Sequence, residues 1–208
     1  MNDDTSTPST PSAPAETGAD IPHFVVAIGA SAGGLSAIKE LLAELPPHLD
    51  APIVIAVHSE PASQLKEALQ IRSPLNIKSA EDGEMLESGV VYVVPGAKHA
   101  FFRNGGLQLS TVVRDSGFRP SIDALFMSLA AEYGERAVAV VLSGLLKDGM
   151  RGAQVIYDMG GRTIVQDPRD ADYSSMPHSV IRNDHPNAVL TASELGVWLA
   201  SQIGTKAS

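Results

Sequence analysis

The segment Gly29-Ala30-Ser31-Ala32-Gly33-Gly34 places one serine inside a glycine-rich turn, between an apolar run at 24–28 and a helical pattern over 35–45. A strand, a tight turn and a helix in that order put Ser31 where unpaired helix N–H groups favour developing negative charge. A serine nucleophile is useful in such a place. Other readings of the same letters fit less well. As Gly-x-Ser-x-Gly they match the nucleophile elbow of α/β-hydrolases, but there much of the sheet precedes the serine and the order is Ser, acid, His. As a P-loop they carry Leu35 where a lysine would reach the phosphates. As a dinucleotide fingerprint they lack the Gly-x-Gly start, and the second strand runs into His58 rather than a ribose-binding acid. A glycine turn that merely packs a helix on a strand remains open as the plain alternative.

Any partner for Ser31 must come from elsewhere in the chain, and the hydrophobic pattern says from where. Apolar strand-like runs at 24–28, 53–57, 90–94, 137–142 and 162–166, with a weaker one at 76–79, alternate with helical periodicity at 35–45, 64–71, 122–133, 150–159 and 192–203. That alternation predicts βαβ units and a parallel sheet covered on both faces. Thr191-Ala192-Ser193-Glu194 is a capping box that starts the last helix. Around Asn104-Gly105, the runs 100–103 and 107–110 break the alternation and predict a β-hairpin attached to the mostly parallel sheet.

Parallel strands bring their C-terminal ends to one edge, so residues just after those ends can converge on Ser31. His58 follows the second run directly. Asp148 lies in Ser143-Gly144-Leu145-Leu146-Lys147-Asp148-Gly149, after the run at 137–142. His99 qualifies less directly, through Pro95-Gly96-Ala97-Lys98. His23, His48 and His185 read as loop residues, and His178 sits in a Met-Pro-His-Ser loop after no strand end. Ser31, His58 and Asp148 would make a nucleophile, a general base and an orienting carboxylate. The structural alternatives are an Asp148 that only caps the helix beginning near Met150 and a His58 that only closes a strand.

Composition bounds the remaining classes. At 208 residues and 44% hydrophobic content the chain suits one substantial domain. A net charge of -9 leaves no basic footprint for nucleic acid. With no cysteine, thiol catalysis, disulfides and thiolate metal sites are excluded. No apolar run approaches the ~18 residues of a membrane span, and the N-terminus lacks a basic and an apolar signal region, so a cytoplasmic protein without membrane insertion is expected. Residues 1–22 are rich in Ser, Thr, Pro and Ala and read as a flexible tail, with the folded domain at 23–204 and a short C-terminal tail at 205–208.

Several colinear pieces together resemble the catalytic domain of the CheB-type chemotaxis protein-glutamate methylesterases. They are Ala27-Ile28-Gly29-Ala30-Ser31-Ala32-Gly33-Gly34, Val57-His58, Gly89-Val90-Val91-Tyr92-Val93-Val94-Pro95, Arg119-Pro120-Ser121-Ile122-Asp123, Val141-Leu142-Ser143-Gly144 with Asp148-Gly149, and Gln166-Asp167-Pro168 with Met176-Pro177. The resemblance implies a three-layer, doubly wound, mostly parallel sheet of about seven strands plus a hairpin. It assigns the nucleophile to Ser31, the base to His58, the acid to Asp148 and an oxyanion-binding backbone N–H to the turn at Gly144 and Leu145.

It further implies hydrolysis of glutamyl γ-methyl esters on the cytoplasmic helices of chemoreceptors, with deamidation of receptor glutamines as a second reaction and no metal or organic cofactor. Lys147, Arg151 and His178 are expected on the rim that meets the substrate. The family's usual Gly-Met-Gly-x-Asp-Gly is here Gly144-Leu145-Leu146-Lys147-Asp148-Gly149, and His58-Ser59-Glu60-Pro61 brings Glu60 close to the site. Family members often carry an N-terminal receiver domain; the tail here predicts an unmasked domain or control by a separate regulatory protein. A non-catalytic binding module on the same fold and a hydrolase of another ester are the two competing functions.

Overall fold

The computed structural model describes residues 23–58, 64–71, 73–112 and 119–205. The expected N-terminal tail at 1–22, Glu60 and residues 206–208 of the expected C-terminal tail at 205–208 lie outside these; Thr205, the first residue of that tail, forms an isolated antiparallel bridge with Leu49. Seven parallel strands form the main sheet: β1 (Val25–Ala30), β2 (Ile53–Val57), β3 (Asn76–Ser79), β4 (Val90–Val93), β7 (Ala137–Val141), β8 (Arg162–Gln166) and β9 (Ala188–Leu190). Their order is β3-β4-β2-β1-β7-β8-β9. The chain first builds outward from β1 through β2 and then returns to add β7 on its other side, so the sheet reverses its winding beside β1. Ligands of open α/β sheets bind at the C-terminal ends of the strands flanking such a reversal.

Strand residues alternate between the two faces because successive side chains point opposite ways. Val25 and Ala27 join the core beneath α3 (Ile122–Tyr133), α4 (Met150–Asp158) and α5 (Ser175–Asn183). Val26 and Ile28 join the one beneath α1 (Gly34–Ala43), α2 (Leu65–Gln70) and α6 (Ala192–Ile203). Both faces are buried, which is why the central strands read as unbroken apolar runs.

Two elements escaped the sequence reading. Helix α5 occupies the stretch expected to be a loop around His178. It is short, and Pro177 falls in its first turn, where the missing N–H costs no helical bond. Strand β9 has only three residues, too few for a periodic signal. The hairpin is present as β5 (His99–Arg103) and β6 (Gly106–Ser110), with Asn104 and Gly105 both at positive φ, as a two-residue turn of this type demands. It differs from expectation in forming its own two-stranded sheet. Instead of pairing with the main sheet it docks on α3, where Ser128 Oγ accepts the Phe102 N–H at 3.1 Å and Phe102 packs edge-on against Tyr133.

Side chains of α3 pack directly against the backbone of Gly29, which presents no side chain to them. A Cβ at Gly29 would stand 2.3 Å from Ile122 Cγ2 and 3.1 Å from Phe126 Cζ. Both side chains are fully buried, so neither can retreat. Gly29→Ala should therefore cost about 1–3 kcal/mol of stability, the usual range for overpacking a filled core. Urea unfolding of the variant against the parent chain checks this; an unchanged midpoint would mean that α3 can ride outward freely.

Candidate functional site

Strand register brings the serine and the histidine together. Ala30 on β1 is paired with Val57 on β2, so the next residues, Ser31 and His58, emerge side by side. The His58 N–H donates to the Ala30 carbonyl at 3.2 Å, extending the ladder by one step. On the other flank Gly29 is paired with Val141 on β7. The Leu142 N–H donates to the Gly29 carbonyl at 3.0 Å, and the Ser31 N–H to the Ser143 carbonyl at 2.9 Å. The serine turn is thus anchored to both neighbours.

The turn after Ser31 needs a left-handed residue, supplied by Gly33 at φ 74°. A Cβ there would also lie 2.7 Å from both Asp172 Cβ and Ser143 Oγ. Ser143 is buried and braces the turn from beneath. Its hydroxyl donates to the Ala32 carbonyl at 2.8 Å and accepts the Tyr173 N–H at 3.0 Å. Its own N–H donates to Gln166 Oε1 at 2.8 Å, and Gln166 Nε2 in turn donates to Asp170 Oδ2 at 2.8 Å. The sequence reading missed this support; only the position of Ser143 and Gln166 at strand ends marked them.

His58 bridges Ser31 and Asp148 with its two ring nitrogens. Nδ1 lies 3.2 Å from Ser31 Oγ and Nε2 lies 2.8 Å from Asp148 Oδ2. An ionised carboxylate only accepts, so the proton of the neutral ring belongs on Nε2, and Nδ1 can accept from the serine hydroxyl. His99, the weaker candidate, does not approach Ser31 in this way. It is only 2% exposed, and its Nδ1 accepts the Ser121 N–H at 3.2 Å. Burial first, and the nearby Arg119 charge second, hold its pKa below the ordinary histidine value. The neutral ring this favours is the form whose Nδ1 can accept that bond.

Asp148 is 4% exposed, and four donors compensate its charge. Besides His58, the Ile122 N–H reaches Oδ2 at 2.8 Å, while the Asp123 and Gly149 N–H groups reach Oδ1 at 2.9 and 3.1 Å. Ile122 and Asp123 open α3, so the carboxylate closes the positive end of that helix. The capping alternative is therefore partly true, but the helix capped is mainly α3 across the site and not the one beginning at Met150. Burial pushes the Asp148 pKa up, but the His58 bond and the two α3 amides together outweigh it, and the net displacement is downward.

The turn that carries Asp148 corrects one expectation. The Gly144 N–H donates to the Tyr173 carbonyl at 2.8 Å, so it is not the donor for an oxyanion. Gly144 matters instead for its lack of bulk, since a Cβ would stand 2.9 Å from Ser31 Cβ and 2.1 Å from Met176 Sδ. Leu145, Leu146 and Lys147 beyond it are exposed, and Leu146 holds φ 64° without being glycine. Arg151 is exposed on the first turn of α4. His178 lies on α5, its Nδ1 3.1 Å from the Ser174 carbonyl. It lines a separate surface cleft with Ser175 and Arg182. The groove that opens beside Ser31, about 600 Å³ in volume, is lined by Leu35, Lys39, Val57, Leu65, Ala68 and Asp172 among others. Among the described residues no cluster of His, Asp and Glu could hold a metal ion, and no helix is long and apolar enough to cross a membrane.

These features define a doubly wound α/β domain with a hydrogen-bonded Ser-His-Asp chain beside the reversal point of its sheet. The chain belongs to the CheB methylesterase family, whose profile matches residues 26–199. It is 33% identical over 181 residues to a protein-glutamate methylesterase/protein-glutamine glutaminase of Methanosarcina mazei, covering 82% of this chain and 49% of the relative. A relative of the same name in Myxococcus xanthus is 35% identical over 180 residues, covering 85% and 51%. The chain thus spans about half the length of the curated relatives it matches. The crystal structure of the Thermotoga maritima CheB methylesterase catalytic domain superposes with a TM-score of 0.82 at 32% identity, covering 86% of this chain and 98% of that one.

The lowered pKa of Asp148 makes a prediction about stability. A depressed folded value means that the charged carboxylate adds stability above its unfolded pKa of ~3.9, and that this is lost as pH falls through the lower folded value. Asp148→Asn should therefore be clearly less stable than the parent at neutral pH, with the gap closing in acid below the ordinary carboxylate range. Denaturant midpoints of both proteins at neutral and acidic pH read this directly. A gap independent of pH would assign the loss to shape and not to charge.

Proposed function

We propose that this chain is a serine esterase that hydrolyses glutamyl γ-methyl esters on the cytoplasmic helices of chemoreceptors. The observation that carries the proposal is the hydrogen-bonded contact of His58 with Ser31 Oγ through one ring nitrogen and with Asp148 Oδ2 through the other, at the edge of the sheet. The names of the relatives support the substrate class. As Ser31 Oγ attacks the ester carbonyl, its proton passes to His58 Nδ1. Asp148 holds the ring by Nε2–H and stabilises the imidazolium. The backbone N–H of Leu145, next to the buried Gly144, is the proposed donor to the tetrahedral oxyanion.

Collapse of the intermediate expels the methoxide oxygen, which takes the proton from His58 and leaves as methanol. The product is an ester between Ser31 and the glutamyl carboxyl. Water then gives one proton to His58 and attacks that ester, releasing glutamate and returning the proton to Ser31. The same steps on a glutaminyl amide expel ammonia, so glutamine deamidation is part of the proposal. The open groove suits a helix some 10–12 Å across better than a small ligand. Its wall offers the exposed Leu35 to an apolar side chain, over a floor of buried Val57 and Leu65, and Lys39 to an acidic residue beside it.

The test is methanol release from a methyl-labelled receptor fragment. Ser31→Ala and His58→Ala should each remove nearly all of the rate. Asp148→Asn should cost on the order of 10⁴ in turnover with little change in binding, and the double variants little more than the singles. Methanol release that survives Ser31→Ala would assign the nucleophile elsewhere, and a wild-type chain that binds the fragment without releasing methanol would favour a binding module.

A further inference from the structure

The acyl-transfer chemistry leaves Asp123 without a part, although its carboxylate reaches an amide that also serves Asp148. The two helices that meet at the site are capped by each other's acids. Asp148 stands just before α4 and accepts the Ile122 and Asp123 N–H groups that open α3. Asp123, on the first turn of α3, accepts with Oδ1 from the Gly149 and Gly152 N–H groups that open α4, both at 2.9 Å. The Gly149 N–H is shared between the two carboxylates. Gly149 is itself the N-cap residue of α4 and has no side chain to offer, so the start of that helix depends on an acid from across the interface. The helices are close enough for this because Gly152 is bare. A Cβ there would meet Phe126 Cβ at 2.5 Å and the Asp123 carbonyl at 3.0 Å.

This clasp bears on Asp148 in a way that an ordinary cap would not. Asp148 rides on a turn whose preceding residues, Leu145 to Lys147, are exposed. Its backbone is held on the far side by the first turn of α4, and Asp123 holds that turn. The pairing has a cost, since burial and then the Asp148 charge push the Asp123 pKa up, against its bonds to Gly152 and Gly149 and the nearby Arg151. An asparagine, uncharged and of the same length, would cap the helix without that repulsion.

We propose that Asp123 is a positioning residue: by tying the first turn of α4 to that of α3, it keeps Asp148 Oδ2 on His58 Nε2. The geometric claim stands on the hydrogen bonds alone, and its consequence for rate rests on the esterase reading.

The experiment compares Asp123→Ala with Asp123→Asn in the full chain by two readouts. One is the rate, per folded molecule, at which a fluorophosphonate modifies Ser31, the serine oxygen displacing fluoride at phosphorus. The other is the low-field NMR resonance of the His58 ring N–H that faces Asp148. Asp123→Ala should slow the modification about 10- to 100-fold, the scale expected for a small misplacement of a reacting group, and should weaken or shift the resonance. Asp123→Asn still offers Oδ1 to Gly149 and Gly152, so it should retain both within about threefold. Should the alanine variant fail to fold, Asp123→Ser, whose shorter side chain cannot span to both amides, takes its place with the same expectation.

An Asp123→Ala protein that melts lower but keeps the parental rate and resonance would overturn the proposal. So would an Asn variant as impaired as the Ala variant. If the parent chain itself is not modified at Ser31, the esterase reading fails, and the resonance alone then decides the positioning role.

Discussion

The contact on which the site depends is the Asp148 carboxylate against the first turn of α3. A buried charge without partners would be too costly to keep ionised. Here the opening amides of one helix, one amide of the next and the imidazole supply donors to a carboxylate that is almost wholly buried. That arrangement makes three things one problem: the charge of the acid, the orientation of His58 and the placement of α3. Helix α3 can reach the carboxylate only because it sits deep on β1, where Gly29 leaves room for Ile122 and Phe126. A bare position in the central strand therefore controls a hydrogen bond two layers of contact away.

The serine side of the site is built on different forces. Ser31 and His58 are neighbours by sheet register, and backbone hydrogen bonds to Ser143 and Ala30 continue the ladder past the ends of the strands. Side-chain bonds then run from Ser143 through Gln166 to Asp170, and Asp170 Oδ2 accepts the Ala192 N–H at the start of α6. The serine turn is thereby tied to strands and helices on both faces. A nucleophile on a turn needs this, because the loss of even a fraction of an ångström in attack geometry is felt in rate. The exposed lip formed by Leu145 and Leu146 is the contrasting region, where side-chain identity is free of core packing.

Much of this was legible from residue order. The central strands announced themselves as apolar runs because both their faces are buried, the hairpin through Asn104-Gly105, and the last helix through its capping box, in which the Thr191 hydroxyl accepts the Glu194 N–H and the Glu194 carboxylate accepts the Thr191 N–H. Helix α5 and strand β9 were not legible. Pro177 within Met176-Pro177-His178 reads as a helix breaker unless it falls in the first turn, and α5 forms because Met176 and Val180 have a core to enter, while the three residues of β9 are too few to show a period.

For the site, position after a strand end was enough to nominate Ser31, His58 and Asp148 and to rank His99 below His58, because a parallel sheet delivers its strand ends to one edge whatever the intervening helices do. What the sequence by itself determined was therefore the sheet, its reading direction and the residues that reach its active edge. Only the tertiary structure decided which ring nitrogen faces which partner, that the Gly144 amide is bound to Tyr173, that His178 belongs to a helix with its own cleft, and that Asp148 caps α3 while Asp123 caps α4. Each of these depends on hydrogen bonds between groups distant in sequence. Periodicity records which face of an element is buried; it carries no information about which donor on a neighbouring element meets which acceptor.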